Sequence, residues 1–118
     1  MARIFSRREW LAIVMAALTF TLALPAFAES SLSGTYRAEG MNPDGSTYSG
    51  AVQLIDNDGE IDMAWQIGED SFVGSGEREG RVITVDWGDD APVIYVIMPN
   101  GNLHGTWADG RALERLSK

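Results

Sequence analysis

The sequence contains no cysteine and only one histidine, His104, and these absences exclude several kinds of site. Without cysteine there is no disulfide, no thiolate nucleophile and no cysteine-ligated metal. One histidine, with no serine in a Gly-x-Ser-x-Gly turn, leaves no nucleophile–base pair of the kind that covalent catalysis needs. We therefore expect a non-enzymatic protein with no catalytic residues, no metal site and no cofactor.

Basic residues are also scarce, and the 118-residue chain has a net charge of −8. Without residues 1–28 the remaining 90 residues hold sixteen acidic and six basic side chains, a net charge of −10. Nucleic acids and anionic membrane surfaces both require basic patches, so neither is an expected partner. The acidity either serves solubility or favours a cationic partner.

Residues 1–28 have the three parts of a secretory signal peptide. Arg3, Arg7 and Arg8 form a basic start, residues 10–24 are apolar or small, and small residues precede a cleavage site at Ala28. We expect cleavage near Ala28 and export, leaving a periplasmic or secreted protein that is not embedded in the membrane. An uncleaved anchor is the alternative, because this stretch is just long enough to span a bilayer.

The pair Arg7-Arg8, followed by Glu9, Trp10 and Leu11, also fits a twin-arginine export signal. An ordinary signal that happens to contain two arginines fits equally well. In either case, residues 29–118 are predicted to form one small domain.

Residues 48–67 predict a β-hairpin. Apolar and aromatic side chains alternate with polar ones on both arms, so that one face of each strand is apolar. Between the arms, Asp56-Asn57-Asp58-Gly59 is typical of a tight turn. The same acidic turn superficially resembles a calcium loop. Aligning Gly59 with the glycine of such a loop, however, places Leu54 and Trp65 at ligand positions, so a hairpin turn is the better interpretation.

The rest of the chain repeats this pattern and predicts an all-β fold of about eight short strands joined by short turns. Short connections favour an up-and-down antiparallel meander, and eight strands are about the number that close into a small barrel, avidin-like or lipocalin-like in style. The run at residues 93–98 is apolar at every position. It therefore predicts a strand that is buried on both faces or covered by a neighbour.

Five large aromatic residues share the inward phase of these strands with several glycines: Tyr36, Tyr48, Trp65, Trp87 and Trp107. Glycines on the same face leave room for large rings inside a narrow barrel. Two interpretations remain open. The rings either fill the core, or they line a ligand pocket at one mouth of the barrel.

Several segments resemble a known family, above all Asn42-Pro43-Asp44-Gly45, the following Tyr48-Ser49-Gly50, and Gly105-Thr106-Trp107. The family consists of small exported bacterial β proteins that are often labelled fibronectin-binding, or left uncharacterised. The resemblance implies an exported binding module that contacts an extracellular or envelope protein through its surface or loops. The alternative is a periplasmic carrier of a small apolar ligand in the aromatic interior. A third interpretation is an envelope component that oligomerises through Ile94, Val96 and Met98.

Overall fold

The structure is a computed structural model that describes residues 31–118, and the predicted signal peptide lies outside the described residues. The described part contains eight β-strands. In chain order they are β1 (Gly34–Met41), β2 (Thr47–Asn57), β3 (Glu60–Ile67), β4 (Asp70–Glu79), β5 (Val82–Asp86), β6 (Val93–Ile97), β7 (Leu103–Trp107) and β8 (Ala112–Ser117).

The strands form a closed antiparallel barrel in which each strand pairs with its neighbours in sequence. β8 returns to pair with β1, with Arg37 opposite Ser117 and Met41 opposite Leu113. The prediction of an all-β, eight-stranded up-and-down barrel is therefore confirmed. Closure leaves no unpaired edge, which a small β protein without disulfides would otherwise expose.

This connectivity places alternate loops at opposite ends of the barrel. Residues 42–46, 68–69, 87–92 and 108–111 form the loops at one end, which we call the mouth. Residues 58–59, 80–81 and 98–102 form the loops at the opposite end, together with both ends of the described chain.

The predicted hairpin is present in β2 and β3, with a loop two residues shorter than the four-residue signal. Asn57 pairs with Glu60, so the loop consists of Asp58 and Gly59 alone. Both have positive φ, 54° and 94°, the conformation of a type I′ turn. The carboxylate of Asp56 accepts a hydrogen bond from the backbone N–H of Gly59 and thereby stabilises the turn.

The alternating apolar side chains face the barrel interior, as predicted, and His104 lies exposed on the outside. The chain itself does not bury the outer face of β6, so the prediction of a strand buried on both faces is wrong, while its alternative, cover by a neighbouring molecule, stays a prediction. Ile94 and Val96 are 38% and 44% exposed, whereas Val93 and Tyr95 are buried. A barrel strand has one interior face only, so a run of apolar residues there cannot indicate two buried faces.

The structure describes no helix that has the length and apolarity needed to cross a bilayer within residues 31–118.

The closing strand gives a direct test of this inside–outside assignment. Leu116 is fully buried on β8, while Leu113 on the same strand is 51% exposed. We expect Leu116→Ala to lower the free energy of unfolding by about 2–5 kcal/mol, because it leaves a cavity in the core. The matched change Leu113→Ala should cost less than about 0.5 kcal/mol, as surface substitutions usually do. Urea unfolding of both variants measures the difference, and equal losses would contradict the assigned register.

Candidate functional site

The carboxylate of Glu114 lies inside the barrel and accepts three hydrogen bonds. Tyr48 donates its hydroxyl to Oε1 at 2.8 Å, and Tyr95 donates its hydroxyl to Oε2 at 2.5 Å. The indole N–H of Trp65 also donates to Oε2, at 3.0 Å. Glu114 is only 6% exposed. Burial of a carboxylate costs much free energy unless the carboxylate is well hydrogen-bonded. The three donors therefore offset the cost of burying Glu114.

The sheet register explains how two tyrosines reach one carboxylate. Tyr48, Gly40, Glu114, Gly105 and Tyr95 lie in one row across five adjacent strands. A glycine therefore flanks Glu114 on each side, and a tyrosine follows each glycine. A Cβ at Gly40 would overlap the ring of Tyr48, and a Cβ at Gly105 would overlap the ring of Tyr95. The glycines thus let both rings lie flat over the neighbouring strand and point their hydroxyls at Glu114.

A wall of aromatic rings continues from Tyr48 towards the mouth. The ring pairs Tyr48–Trp107, Trp107–Trp87 and Trp87–Phe72 have centroid separations of 6.4, 5.8 and 5.9 Å, all with edge-to-face geometry. Trp107 donates its indole N–H to the hydroxyl oxygen of Tyr48 at 3.1 Å. Trp87 donates its own to the carbonyl of Ala91 at 3.2 Å. These bonds satisfy the polar edges of the rings and fix their orientation.

The rings and the carboxylate line a cavity of about 270 Å³ at the mouth. Phe72 and Asp70 are exposed, so the cavity is open to solvent on that side. Its lining consists of Asn42, Tyr48, Trp65, Ile67, Asp70, Phe72, Trp87, Val93, Trp107 and Glu114. It is a mostly apolar concavity with a few polar groups, the general form of a small-molecule site.

Four of the five predicted interior aromatics, Tyr48, Trp65, Trp87 and Trp107, line this cavity. Tyr36 does not. Its side chain lies towards the opposite end, where its hydroxyl donates to the carbonyl of Leu32 at 2.6 Å and the Lys118 ammonium sits 5.1 Å from the ring centroid. Tyr36 follows the same alternation as the others, but periodicity assigns a face of the strand and not a depth in the barrel.

Sequence reasoning missed Glu114, the residue on which the site is built. The signal was present, because Glu114 alternates with Ala112 and Leu116, both fully buried. It was obscured because Leu113, on the other phase of the same strand, is apolar too. Tyr95 lies in the run at residues 93–98, whose unbroken apolar sequence singled out no inward face, and it was not recognised as a partner of this carboxylate.

The tyrosines of the site act as hydrogen-bond donors. Burial, followed by the negative charge of Glu114 and the hydrogen bond to it, holds the pKa of Tyr48 far above its usual value of 10.0. The same causes in the same order raise the pKa of Tyr95 well above 10.0. Both phenols therefore stay protonated at neutral pH, so that the cluster can accept and donate hydrogen bonds but supplies no tyrosinate base or nucleophile.

No group of three or more potential metal ligands occurs within residues 31–118. At the mouth cavity, the side chains that line the pocket offer the carboxylates of Glu114 and Asp70 and the amide of Asn42. The remaining lining is aromatic or aliphatic, which suits an organic ligand better than a metal ion.

Comparison with known proteins supports the fold. No protein-family model matches the chain, and no curated protein matches it. A solved structure described as a redesigned beta barrel is similar, with a TM-score of 0.53 and 16% sequence identity over 74% of this chain and 90% of that one. At this identity the similarity establishes a shared barrel fold and carries no information about ligands.

The raised tyrosine pKa values predict how stability depends on pH. The chain has three tyrosines, and burial raises the pKa of Tyr36 as well. Unfolded tyrosines lose their protons near pH 10, while the folded ones still hold theirs. The contribution of the tyrosines to the free energy of unfolding is therefore fully present below pH 10 and falls as the pH rises above it.

An alkaline titration followed by tyrosinate absorbance measures this effect. We expect Tyr48 and Tyr95 to contribute almost no tyrosinate in the folded protein at pH 10, the usual pKa of the phenol, and their ionisation to coincide with the loss of β-sheet circular dichroism. Half-ionisation of the tyrosines at that pH in a protein that is still folded would contradict the hydrogen-bonded cluster.

Proposed function

We propose that the protein binds a small, largely apolar ligand in the mouth cavity, without chemical conversion of the ligand. The observation that carries the proposal is the open cavity of about 270 Å³ between Trp65, Trp87 and Trp107. These rings make a binding surface because space remains between them.

The size of the cavity bounds the ligand. An apolar cavity of about 150 Å³ holds benzene, so the mouth cavity has room for one ring with a short substituent. The rings are already oriented by hydrogen bonds and edge-to-face contacts, which lowers the entropic cost of binding. The protonated tyrosines are donors, which supports binding over catalysis.

Two further expectations belong to the same proposal. Export through the signal peptide would make the protein a periplasmic or secreted carrier. Binding of an extracellular or envelope protein, which the family resemblance implies, stays a prediction. We favour the small ligand because a shaped cavity with fixed rings supports it, whereas the protein-binding interpretation rests on the resemblance alone.

Titration with 2-phenylethanol, a neutral single-ring probe, tests the proposal. We expect saturable binding by isothermal titration calorimetry and a change in tryptophan fluorescence. The affinity should be modest, with a Kd of about 10⁻⁴–10⁻³ M, because a ligand of this size has few atoms that contribute.

A pair of matched variants locates the binding. Ile67 is half-buried in the lining of the cavity, so Ile67→Trp fills the cavity and should abolish the calorimetric signal. Ile55 is 56% exposed on the outside of β2, and Ile55→Trp should leave binding unchanged. Equal binding by both variants would refute the proposal. So would a failure of the unmodified protein to bind either 2-phenylethanol or a second neutral single-ring probe, cyclohexanol.

A further inference from the structure

We infer that the ligand of the mouth cavity is an organic cation, a small molecule that joins an apolar or aromatic body to an ammonium group. This inference rests on the proposed binding function and adds the charge of the ligand to it. Four observations on the described residues support it.

The cavity lining has charge of one sign. Glu114 lies at its buried side and Asp70 at its exposed rim, and none of the lining residues is lysine, arginine or histidine. An anionic ligand would have to approach both carboxylates with no compensating positive group, which is costly in a partly dehydrated site.

The loops around the mouth also carry mostly negative charge. They contain five acidic residues, Asp44, Glu69, Asp89, Asp90 and Asp109, and one basic residue, Arg111. The guanidinium of Arg111 donates to the carbonyl of Ala108 at 3.0 Å, and Arg111 does not line the cavity. The loops at the opposite end contain one acidic and one basic residue, Asp58 and Arg81. A negative field concentrated at one end favours the approach of cations to that end.

Glu114 is buried with three hydrogen-bond donors but no cation. Its donors are two hydroxyls and one indole N–H, and no ion pair with Glu114 is present among residues 31–118. The neighbouring Arg115 points outward and pairs with Glu39. A carboxylate has about four acceptor positions, so three donors leave one acceptor position unused, and no cation within the described residues compensates the charge.

The aromatic rings of the cavity supply a second feature of an ammonium site, in addition to the carboxylate. Cations are attracted to the faces of tryptophan, tyrosine and phenylalanine rings, most strongly to tryptophan. Trp87 and Trp107 meet edge to face at an interplanar angle of 87°, so that they present two nearly perpendicular surfaces. A body that packs against one ring can therefore place its ammonium group over the other, or against Glu114.

A charge series on one molecular frame tests the inference with the unmodified protein. The probes are 2-phenylethylamine, which is cationic at pH 7, neutral 2-phenylethanol, and anionic phenylacetate. We expect the amine to bind about tenfold more tightly than the alcohol, from cation–π attraction and one charged hydrogen bond. Phenylacetate should bind more weakly than the alcohol, and the advantage of the amine should shrink as salt is added.

Acid-to-amide changes at the two ends of the barrel locate the effect. Asp70→Asn should reduce the advantage of the amine over the alcohol about two- to threefold, as expected for an exposed rim charge. Asp58→Asn is the matched control, because Asp58 lies in the loop at the opposite end. The ratio should not change in this variant. Glu114→Gln should remove most of the advantage if circular dichroism shows that the variant folds, and the Asp70→Asn comparison remains decisive if it does not.

The outcomes separate this inference from the proposed function. Similar affinities for all three probes, or tighter binding of phenylacetate, would overturn the cationic ligand and leave cavity binding intact. An amine preference that Asp70→Asn and a folded Glu114→Gln both leave unchanged would also overturn it. Failure of all three probes to bind would overturn the proposed function itself.

Discussion

The buried carboxylate of Glu114 is the constraint on which the mouth of this barrel depends. A charge that is 6% exposed requires several well-placed hydrogen bonds, and the structure supplies them from Tyr48, Tyr95 and Trp65. These donors come from three different strands, so they converge only once the barrel has closed through β8. The glycines on either side of Glu114 follow from the same requirement, because a side chain at either position would displace a tyrosine ring.

The same cluster shapes the site that we propose for ligand binding. Tyr48 accepts the indole N–H of Trp107 while it donates to Glu114, and Trp107 in turn packs against Trp87. The carboxylate thereby fixes one end of a line of rings that reaches the mouth. Stability and the proposed ligand binding therefore rest on the same hydrogen bonds.

Much of the fold was predictable from the sequence because it is encoded locally. Alternation assigned the interior face of most strands, and turn residues such as Asp58-Gly59 marked the hairpins. The candidate site was only partly predictable. Trp65, Trp87 and Trp107 were expected inside, but their depth, and the exclusion of Tyr36 from the cavity, depend on register around the whole barrel. The row that joins Tyr48 to Tyr95 through Glu114 spans five strands. The register that aligns these residues depends on how the strands pair, and no local sequence pattern specifies that pairing.

The most direct test of this account is a double-mutant cycle on the free energy of unfolding, with Tyr95→Phe and Glu114→Gln singly and together. A hydrogen bond between a hydroxyl and a buried carboxylate should give a coupling energy of about 1.5–3 kcal/mol, so that Tyr95→Phe costs far less once the carboxylate is gone. If the two changes add to within about 0.5 kcal/mol, Glu114 does not hold Tyr95, and the central role of the carboxylate is contradicted.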